Sequence, residues 1–331
     1  MILITGCNGS LGSQLAASLI NEGHAVKGYI RPGADLSLIP QEIKEQIEWC
    51  SGSLFDSYAL GNALEGIDKV IHTAAVVSFA PSRRKEMFRT NVEGTATLVN
   101  EALISGVKQF IHISSIAALG RPVNKPLIDE TDLWVESQNN TNYAKSKYLA
   151  ELEVYRGFEE GLNGFVLNPS VILGPGDIEK SSTKLFGYVL KGGEYYTEGQ
   201  LNYVDVRDIC TIATQLMKQS VNGERFVLNG GRVSYKYFFE QVAKEFGKTP
   251  PEKLASTWMK ELLWRIEHVR SLISGSEPLI TKETARLSGN SHQYANDKIK
   301  ALLSYEFRNI DDSIHWVCKE LEKQTAVHNL L

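Results

Sequence analysis

The stretch "MILITGCNGSLGSQL", residues 1–15, begins as an apolar run, passes glycines at 6, 9 and 12, and continues as a helix. Leu11, Leu15, Ala16, Leu19 and Ile20 share one face of that helix, which Gly23 closes. A strand that turns through glycines into a helix N-terminus is a cradle for phosphate. The first glycine permits the tight turn, the second lets backbone approach a pyrophosphate, and the third lets helix and strand pack closely. A glycine triplet alone is a weak signal, but between a first strand and a first helix it is a strong one.

Further along, "AVKGYI" (25–30), "IEWC" (47–50), "KVIHTAA" (69–75), "QFIHISS" (109–115) and "GFVLN" (164–168) read as strands separated by helical periods, one of them spanning 81–105. Nearly continuous apolar strands alternating with helices imply an α/β fold: a Rossmann-type, doubly wound parallel sheet with helices on both faces. "RFVLNG" (225–230) reads as a late strand that returns to the sheet. The expected division is a dinucleotide-binding domain over 1–167 and 203–229. Residues 168–202 and 230–331 form a smaller, mainly helical substrate lobe. A helix at 256–273 carries an apolar stripe of Trp258, Leu262, Leu263, Ile266 and Val269, read as core or interface.

The 331 residues are 43% hydrophobic and 22% charged with a formal net charge of -4, which suits a soluble globular protein with a substantial core. A mildly acidic chain has no electrostatic reason to bind nucleic acid or an anionic membrane. Cys7, Cys50, Cys210 and Cys318 show neither disulfide-framework nor zinc spacing. No apolar run reaches the length of a membrane span, and the first strand begins at residue 1, so the expectation is a cytoplasmic protein without a signal peptide. The sequon at 139–141 is then idle. The histidines form no ligand cluster, so no metal is expected, and His72 and His112 lie in strands as packed core residues. No G-x-S-x-G elbow marks a hydrolase.

The end of the second strand selects the cofactor. An acid there accepts a hydrogen bond from the 2′-hydroxyl of NAD and repels a 2′-phosphate. The slot holds Ile30, followed by Arg31, which favours NADP(H) with NAD(H) still possible.

"YAKSK", residues 143–147, opens a helix with Tyr143 and Lys147 on one face. That spacing gains meaning from its company. "FIHISSIAALG" supplies Ser114 and Ser115 at the end of the fifth strand, and "NVEGT" supplies Asn91. With G-x-x-G-x-x-G, "NPSVILGPGD" (168–177), "YVDVRD" (203–208) and "EPLITKETARL" (277–287), the whole chain resembles the extended branch of the short-chain dehydrogenase/reductase family. Its pattern is most similar to dihydroflavonol-4-reductase-like and 3β-hydroxysteroid-dehydrogenase-like members.

The resemblance implies that Ser115, Tyr143, Lys147 and Asn91 form the catalytic set. It implies cofactor contacts from Gly6, Asn8, Gly9, Ser10, Leu11, Gly12, Arg31, Ser53, Leu54, Thr73, Ala74, Ala75 and Ser114. Tyr143, Lys147, Asn168, Pro169, Ser170 and Val171 complete the cofactor side. Relatives place an aspartate on adenine where this chain has Ser53, so that contact is weakened; Asp56 is read as the cap of the next helix.

A free phenol has a pKa of about 10, too high for easy proton exchange near neutrality. An ammonium roughly 4 Å away contributes about 4 kcal/mol at an effective dielectric near 20. Lys147 is therefore expected to lower the Tyr143 pKa by up to about three units before desolvation opposes it. Ser115 donates to the carbonyl oxygen as charge grows there.

Among the reactions of the branch, a dehydratase needs an acid pair after the catalytic serine, where this chain has Ile116 and Ala117. Nucleotide-sugar epimerases place an arginine where this chain has Leu201, and Arg207 is read as an anion ligand or as the partner of a neighbouring aspartate. A cofactor-sensing protein would lose Tyr143 or Lys147. The expectation is a reductase or dehydrogenase of a small carbonyl or alcohol, acting as a monomer or homodimer. Val77, Ser78, Ser115, Asn168 and Tyr203 are its expected substrate contacts.

Overall fold

The computed structural model describes residues 1–122, 125–137, 140–256 and 292–328. Its strands are β1 (Ile2–Thr5), β2 (Val26–Ile30), β3 (Ile47–Ser51), β4 (Lys69–His72), β5 (Gln109–Ile113) and β6 (Leu127–Ile128). They continue as β7 (Gly164–Pro169), β8 (Val171–Leu173), β9 (Tyr195–Tyr196), β10 (Gln200–Asp205), β11 (Glu224–Leu228) and β12 (Gly231–Ser234). The helices used below are α1 (Ser10–Asn21), α2 (Gln41–Lys44), α3 (Ser57–Leu64), α4 (Arg84–Phe88), α5 (Gly94–Ile104), α6 (Asn142–Glu159), α7 (Lys184–Leu190), α8 (Val206–Leu216) and α9 (Tyr235–Glu245).

A seven-stranded sheet runs in the order β11-β7-β5-β4-β1-β2-β3, every pair parallel. Successive side chains of a strand point to opposite faces, and both faces here are apolar. Ile2 and Ile4 meet Leu15 and Leu19 of α1 and Ile209 and Leu216 of α8, while Leu3 meets Leu60, Leu98 and Val154 on the other side. Covering both faces is what a parallel sheet requires. Strand order reverses at β1, whose neighbours are β2 and β4, so a crevice opens there outside the carboxyl ends.

The expected helix at 81–105 is instead a composite. A 3₁₀ turn (Pro81–Arg83), α4, a π turn (Arg89–Glu93) and α5 follow one another. A π turn inserts an extra residue and is tolerated where other bonds compensate. Here the buried Asn91 supplies them: its side chain binds the Val76 amide at 2.7 Å, the Val76 carbonyl at 3.0 Å and the Ser146 hydroxyl at 3.0 Å. Asp56 caps α3, accepting from the Ala59 amide at 3.0 Å.

A second lobe builds on a smaller sheet, in which β10 is parallel to β8 and antiparallel to β12. Leu173, Phe186, Leu201, Phe238, Val242, Ile314 and Val317 share its core. Ile299, Leu303, Tyr305 and Phe307, late in the chain, pack on the large-sheet core instead. The apolar stripe read at 256–273 and the segment 277–287 lie outside the described residues. Among the described residues no helix is long and apolar enough to cross a membrane.

Two glycines separate close approach from mere flexibility. A Cβ on Gly12 would lie 2.3 Å from the Gly6 carbonyl oxygen and 2.9 Å from the Cys7 Cα, both backbone atoms. A Cβ on Gly61, inside α3, would meet nothing nearer than Glu101 at 3.7 Å. Gly12→Ala is expected to cost about 1–3 kcal/mol in urea unfolding, and Gly61→Ala to add about 0.5–1 kcal/mol. Equal effects would contradict the packing described.

Candidate functional site

The glycine loop sits at the topological reversal. Gly6 adopts φ +68°, and a Cβ there would lie 2.8 Å from the Ala74 Cα, so the loops after β1 and β4 touch through backbone. The Thr73 hydroxyl donates to the Thr5 carbonyl at 2.6 Å, fixing Thr73, Ala74 and Ala75 beside the loop. Gly9 is the N-cap of α1 and has no side chain to satisfy the first-turn amides, which leaves them for an anion. Ser10 and Asn8 are engaged with neighbouring loops: the Ser10 hydroxyl donates to the Pro175 carbonyl at 2.7 Å, and the Asn8 amide to the Asp35 carbonyl at 3.1 Å. Leu11 packs on the large-sheet core.

At the end of β2 the side chain after Ile30 is the exposed Arg31. Its charge, after that of Arg83, helps hold the Glu86 carboxyl below the ordinary range. The nearby Asp35 carboxylate is occupied by Ser37, accepting from its amide and hydroxyl at 2.9 Å each. Ser53 uses its hydroxyl to accept from the Phe55 amide at 3.2 Å, and Leu54 packs on Gly94.

Opposite the loop, Thr141 caps α6 by accepting from the Ala144 amide at 3.0 Å, which sets Tyr143 in the first turn. Tyr143 lies edge-to-face with Phe79, ring centroids 5.9 Å apart. Ser115 follows β5, caps a 3₁₀ turn by accepting from the Ala117 amide at 3.1 Å, and its hydroxyl lies beside the phenol. The Tyr143 ring keeps some exposed surface, yet its phenol end lies deep. Burial raises its pKa, and the Ser115 hydroxyl only partly offsets that.

This corrects the expectation that Lys147 pulls the phenol down. The Lys147 ammonium, 2% exposed, donates instead to the Ile113 carbonyl at 2.9 Å. Burial pushes its own pKa down to about 8, against the opposing charge of Glu151. Burial thus opposes the charged form of each group.

Other expected residues are placed as follows. Asn91 holds the loop after β4 to α6 through Val76 and Ser146. Ser78 is buried and accepts from the Ala80 amide at 3.2 Å, whereas Val77 is exposed. Asn168 is fully buried and donates to the Ser115 carbonyl at 3.0 Å and to the Glu151 carboxylate, so it supports the strand end from behind. Pro169 ends β7, Val171 begins β8, and Ser170 between them has a buried hydroxyl with no partner among the described residues. The Ser114 hydroxyl faces Glu151 without meeting hydrogen-bond geometry. These two hydroxyls, with the open amides of α1, are unfilled polar groups around the crevice, and they fit a bound dinucleotide.

Tyr203 stands apart from this group. It is 5% exposed within the second-lobe core, its ring against Gly230 and Gly231, and burial first and then Asp208 push its pKa up to about 12. Leu201 lies in the same core. Arg207 grips Asp205 through two bonds of 2.9 and 2.6 Å and lies over the Trp316 ring, the pairing read from sequence as one alternative.

Sequence reasoning missed the buried polar cluster behind the site. His72 binds the Thr5 and Thr95 hydroxyls at 2.7 and 2.9 Å, and its ring lies 5.3 Å from that of His112. Both rings are fully buried, and burial followed by the Lys147 charge holds them neutral, His72 with a pKa of about 3. The identities of these residues were visible in the strands, but their mutual contact needed the register of β4 on β5.

A family model described as the NAD dependent epimerase/dehydratase family matches residues 2–229. Sterol demethylase protein B of Methylococcus capsulatus is 31% identical over 232 residues, 69% of each chain. Cinnamoyl-CoA reductase 1 of Arabidopsis thaliana is 27% identical over 98% of this chain and 89% of its own. The crystal structure of gox2253 superposes with a TM-score of 0.82 at 31% identity over 98% of both chains.

The neutral histidines have a consequence for stability. Their folded pKa values lie below the ordinary 6.5, so between pH 6.5 and about 3 the unfolded chain binds protons that the fold refuses. Stability must then fall as pH drops through 6.5, by up to about 1.4 kcal/mol per pH unit for each such ring. In urea unfolding between pH 6.5 and 5, His112→Phe is expected to show a shallower fall than the wild type. An unchanged slope would mean that His112 titrates in the fold as it does in the unfolded chain.

Proposed function

Since the chain belongs to the NAD dependent epimerase/dehydratase family, we propose that it is an NADP(H)-dependent reductase of a small, largely uncharged carbonyl compound, with Tyr143 as proton donor. The observation that carries this reading is the meeting of the Tyr143 phenol and the Ser115 hydroxyl at the edge of the crevice, with Lys147 one helical turn behind. The glycine loop, the α1 N-terminus and the strand ends at Thr73–Ala75 and Ser114 would hold the dinucleotide, with Arg31 beside its adenosine ribose. That group supplies or accepts the hydride.

The residues of the chain do the rest. Ser115 donates to the carbonyl oxygen and so stabilises the negative charge that grows there. Tyr143 gives its proton to the same oxygen. Phe79 and Val77 offer an apolar wall, and Phe79 also confines the phenol. Asn91 acts at one remove, by fixing the loop that carries them. On this reading residues 168–202 and 230–245 contribute the substrate lobe, while Ile299, Leu303, Tyr305 and Phe307 stay with the large sheet.

The substrate class is supported by what the site offers an anion. A nucleotide sugar brings about two negative charges, and burying them without cations costs several kcal/mol. Leu201 is packed in the lobe core, and the Arg207 charge is already met by Asp205. The name of the relative sterol demethylase protein B carries a largely apolar molecule, which supports the same class.

A screen at 340 nm of aliphatic, aromatic and steroid-like carbonyls with NADPH, beside a thermal-shift screen of sugar nucleotides, tests the proposal. Turnover of a carbonyl is expected, and Tyr143→Phe should remove it while leaving NADPH affinity nearly intact. Stabilisation by a sugar nucleotide with no carbonyl reduced would move the chain to the epimerases.

Cofactor choice is tested separately. NADPH should bind at least about tenfold tighter than NADH, near 1.4 kcal/mol for a charge-assisted phosphate contact. Arg31→Ala should close the gap, and equal wild-type affinities would refute the preference.

A further inference from the structure

Thr5 ends β1, His72 ends β4 and Thr95 lies in the first turn of α5, and all three are buried. The hydrogen bonds among them allow one set of directions. The Thr95 hydroxyl lies 2.6 Å from the Asn91 carbonyl, which can only accept, so its single proton points there. Its 2.9 Å bond to the His72 ring is therefore one it accepts, and Nε2 carries the ring proton. On the other side, Thr5 meets Nδ1 at 2.7 Å and the Ala74 amide, a donor, at 3.4 Å. A charged ring would donate at both nitrogens and leave the Thr5 proton without an acceptor. Nδ1 is accordingly bare and accepts from Thr5, in keeping with the neutral ring that burial enforces.

Both ends of this chain of bonds reach the crevice. Ala74 lies against Gly6 of the glycine loop. Asn91 uses its side-chain amide to donate to the Ser146 hydroxyl at 3.0 Å, and Ser146 donates to the Tyr143 carbonyl at 2.8 Å. We propose that His72, as its Nε2–H tautomer, is a positioning residue that joins the loop after β4 to the turn of α6 carrying Tyr143. The inference rests on the reading of Tyr143 and the glycine loop given above, and adds to it a residue that touches neither substrate nor cofactor.

A neutral imidazole suits this place because one nitrogen accepts while the other donates. A carboxylate could only accept at both ends, and an ammonium could only donate. The π turn gives the bond at Asn91 its value. There the Gly94 amide reaches back five residues to the Arg89 carbonyl, out of α-helical register. The Thr95 hydroxyl holds the Asn91 carbonyl within that turn, and so fixes the residue whose side chain grips Val76 and Ser146. His112 takes no part: its ring is 5.3 Å from that of His72, and neither of its nitrogens has a partner among the described residues.

The tautomer is read directly by long-range 1H–15N NMR of protein labelled with 15N-histidine, the His72 signals being assigned by their loss in His72→Gln. A protonated Nε2 beside a bare Nδ1 is expected. The reverse pattern, or a doubly protonated ring, overturns the proposal. A kinetic arm contrasts two changes at Thr95: Thr95→Val nearly keeps the shape and removes the hydroxyl, whereas Thr95→Ser keeps the hydroxyl and removes a methyl. On a carbonyl that the wild type reduces, Thr95→Val is expected to lower kcat about tenfold, and Thr95→Ser to stay within about twofold of the wild type. A residue that only packs would give the opposite order, since serine leaves a cavity and valine does not, and that order also overturns the proposal. If Thr95→Val does not fold, the same contrast at Thr5, on the other side of the ring, decides. If no carbonyl is reduced at all, the functional reading fails and the coupling is judged by NADPH titration. Thr95→Val should then weaken binding about fivefold and Thr95→Ser should not; equal affinities in the two variants would sink it.

Discussion

A lysine ammonium taken out of water dominates the centre of this protein. An unpaired buried charge costs several kcal/mol even after relaxation, and Lys147 is 2% exposed. What surrounds it is explicable as the means of tolerating that charge. The Ile113 carbonyl takes one hydrogen bond, and two buried imidazoles stay neutral, first because of their own burial and then because of the Lys147 charge. The end of β5 gains from this as well, since Lys147 binds the Ile113 carbonyl and Asn168 binds that of Ser115. Side chains from α6 and β7 thus set the backbone that carries the Ser115 hydroxyl.

The second constraint is topological. Reversal of strand order at β1 brings the loops after β1 and β4 together, and only glycine at position 6 lets them meet, 2.8 Å being available where a Cβ would stand. The loop after β4 is then tied down by Asn91, whose π turn re-aims one residue without ending the helix. Phosphate cradle, apolar wall and phenol are therefore positioned by three different elements, each locked by side-chain bonds to its neighbour's backbone. Such locking is what holds reacting groups within a fraction of an ångström.

Much of this was legible in the sequence, for identifiable reasons. Each strand of the large sheet coincides with an apolar run because parallel strands are buried on both faces, and Asp56 was readable as a cap because its partner is three residues away. Helical spacing puts Tyr143 and Lys147 on one face of α6, but that spacing gained meaning only from the glycine loop and the serines after β5. What failed depends on partners distant in sequence. The π turn at Arg89–Glu93 has no compositional mark and is stabilised through Val76 and Ser146. Tyr203 was read as facing the substrate, but β10 pairs in the smaller sheet and the pleat sends alternate side chains the other way. Glu151 was in plain view at the next helical step after Lys147. Nothing local distinguishes a buried glutamate from a solvated one until Asn168 and Arg225 are seen beside it.

The phenol itself is the remaining tension. Burial raises the Tyr143 pKa and Ser115 offsets only part of that, so the protein by itself holds the group firmly as an acid. That is the state a reductase needs. An alkoxide formed by hydride arrival is far more basic than an ordinary phenolate, so a protonated tyrosine beside it transfers its proton downhill. The opposite reaction asks more, because removing an alcohol's proton requires the phenolate first, and burial makes that form scarce near neutrality. An additional positive charge at the crevice would relieve this. The Lys147 ammonium, by contrast, is engaged with the Ile113 carbonyl. The same burial that tightens the site therefore biases the proposed chemistry toward reduction.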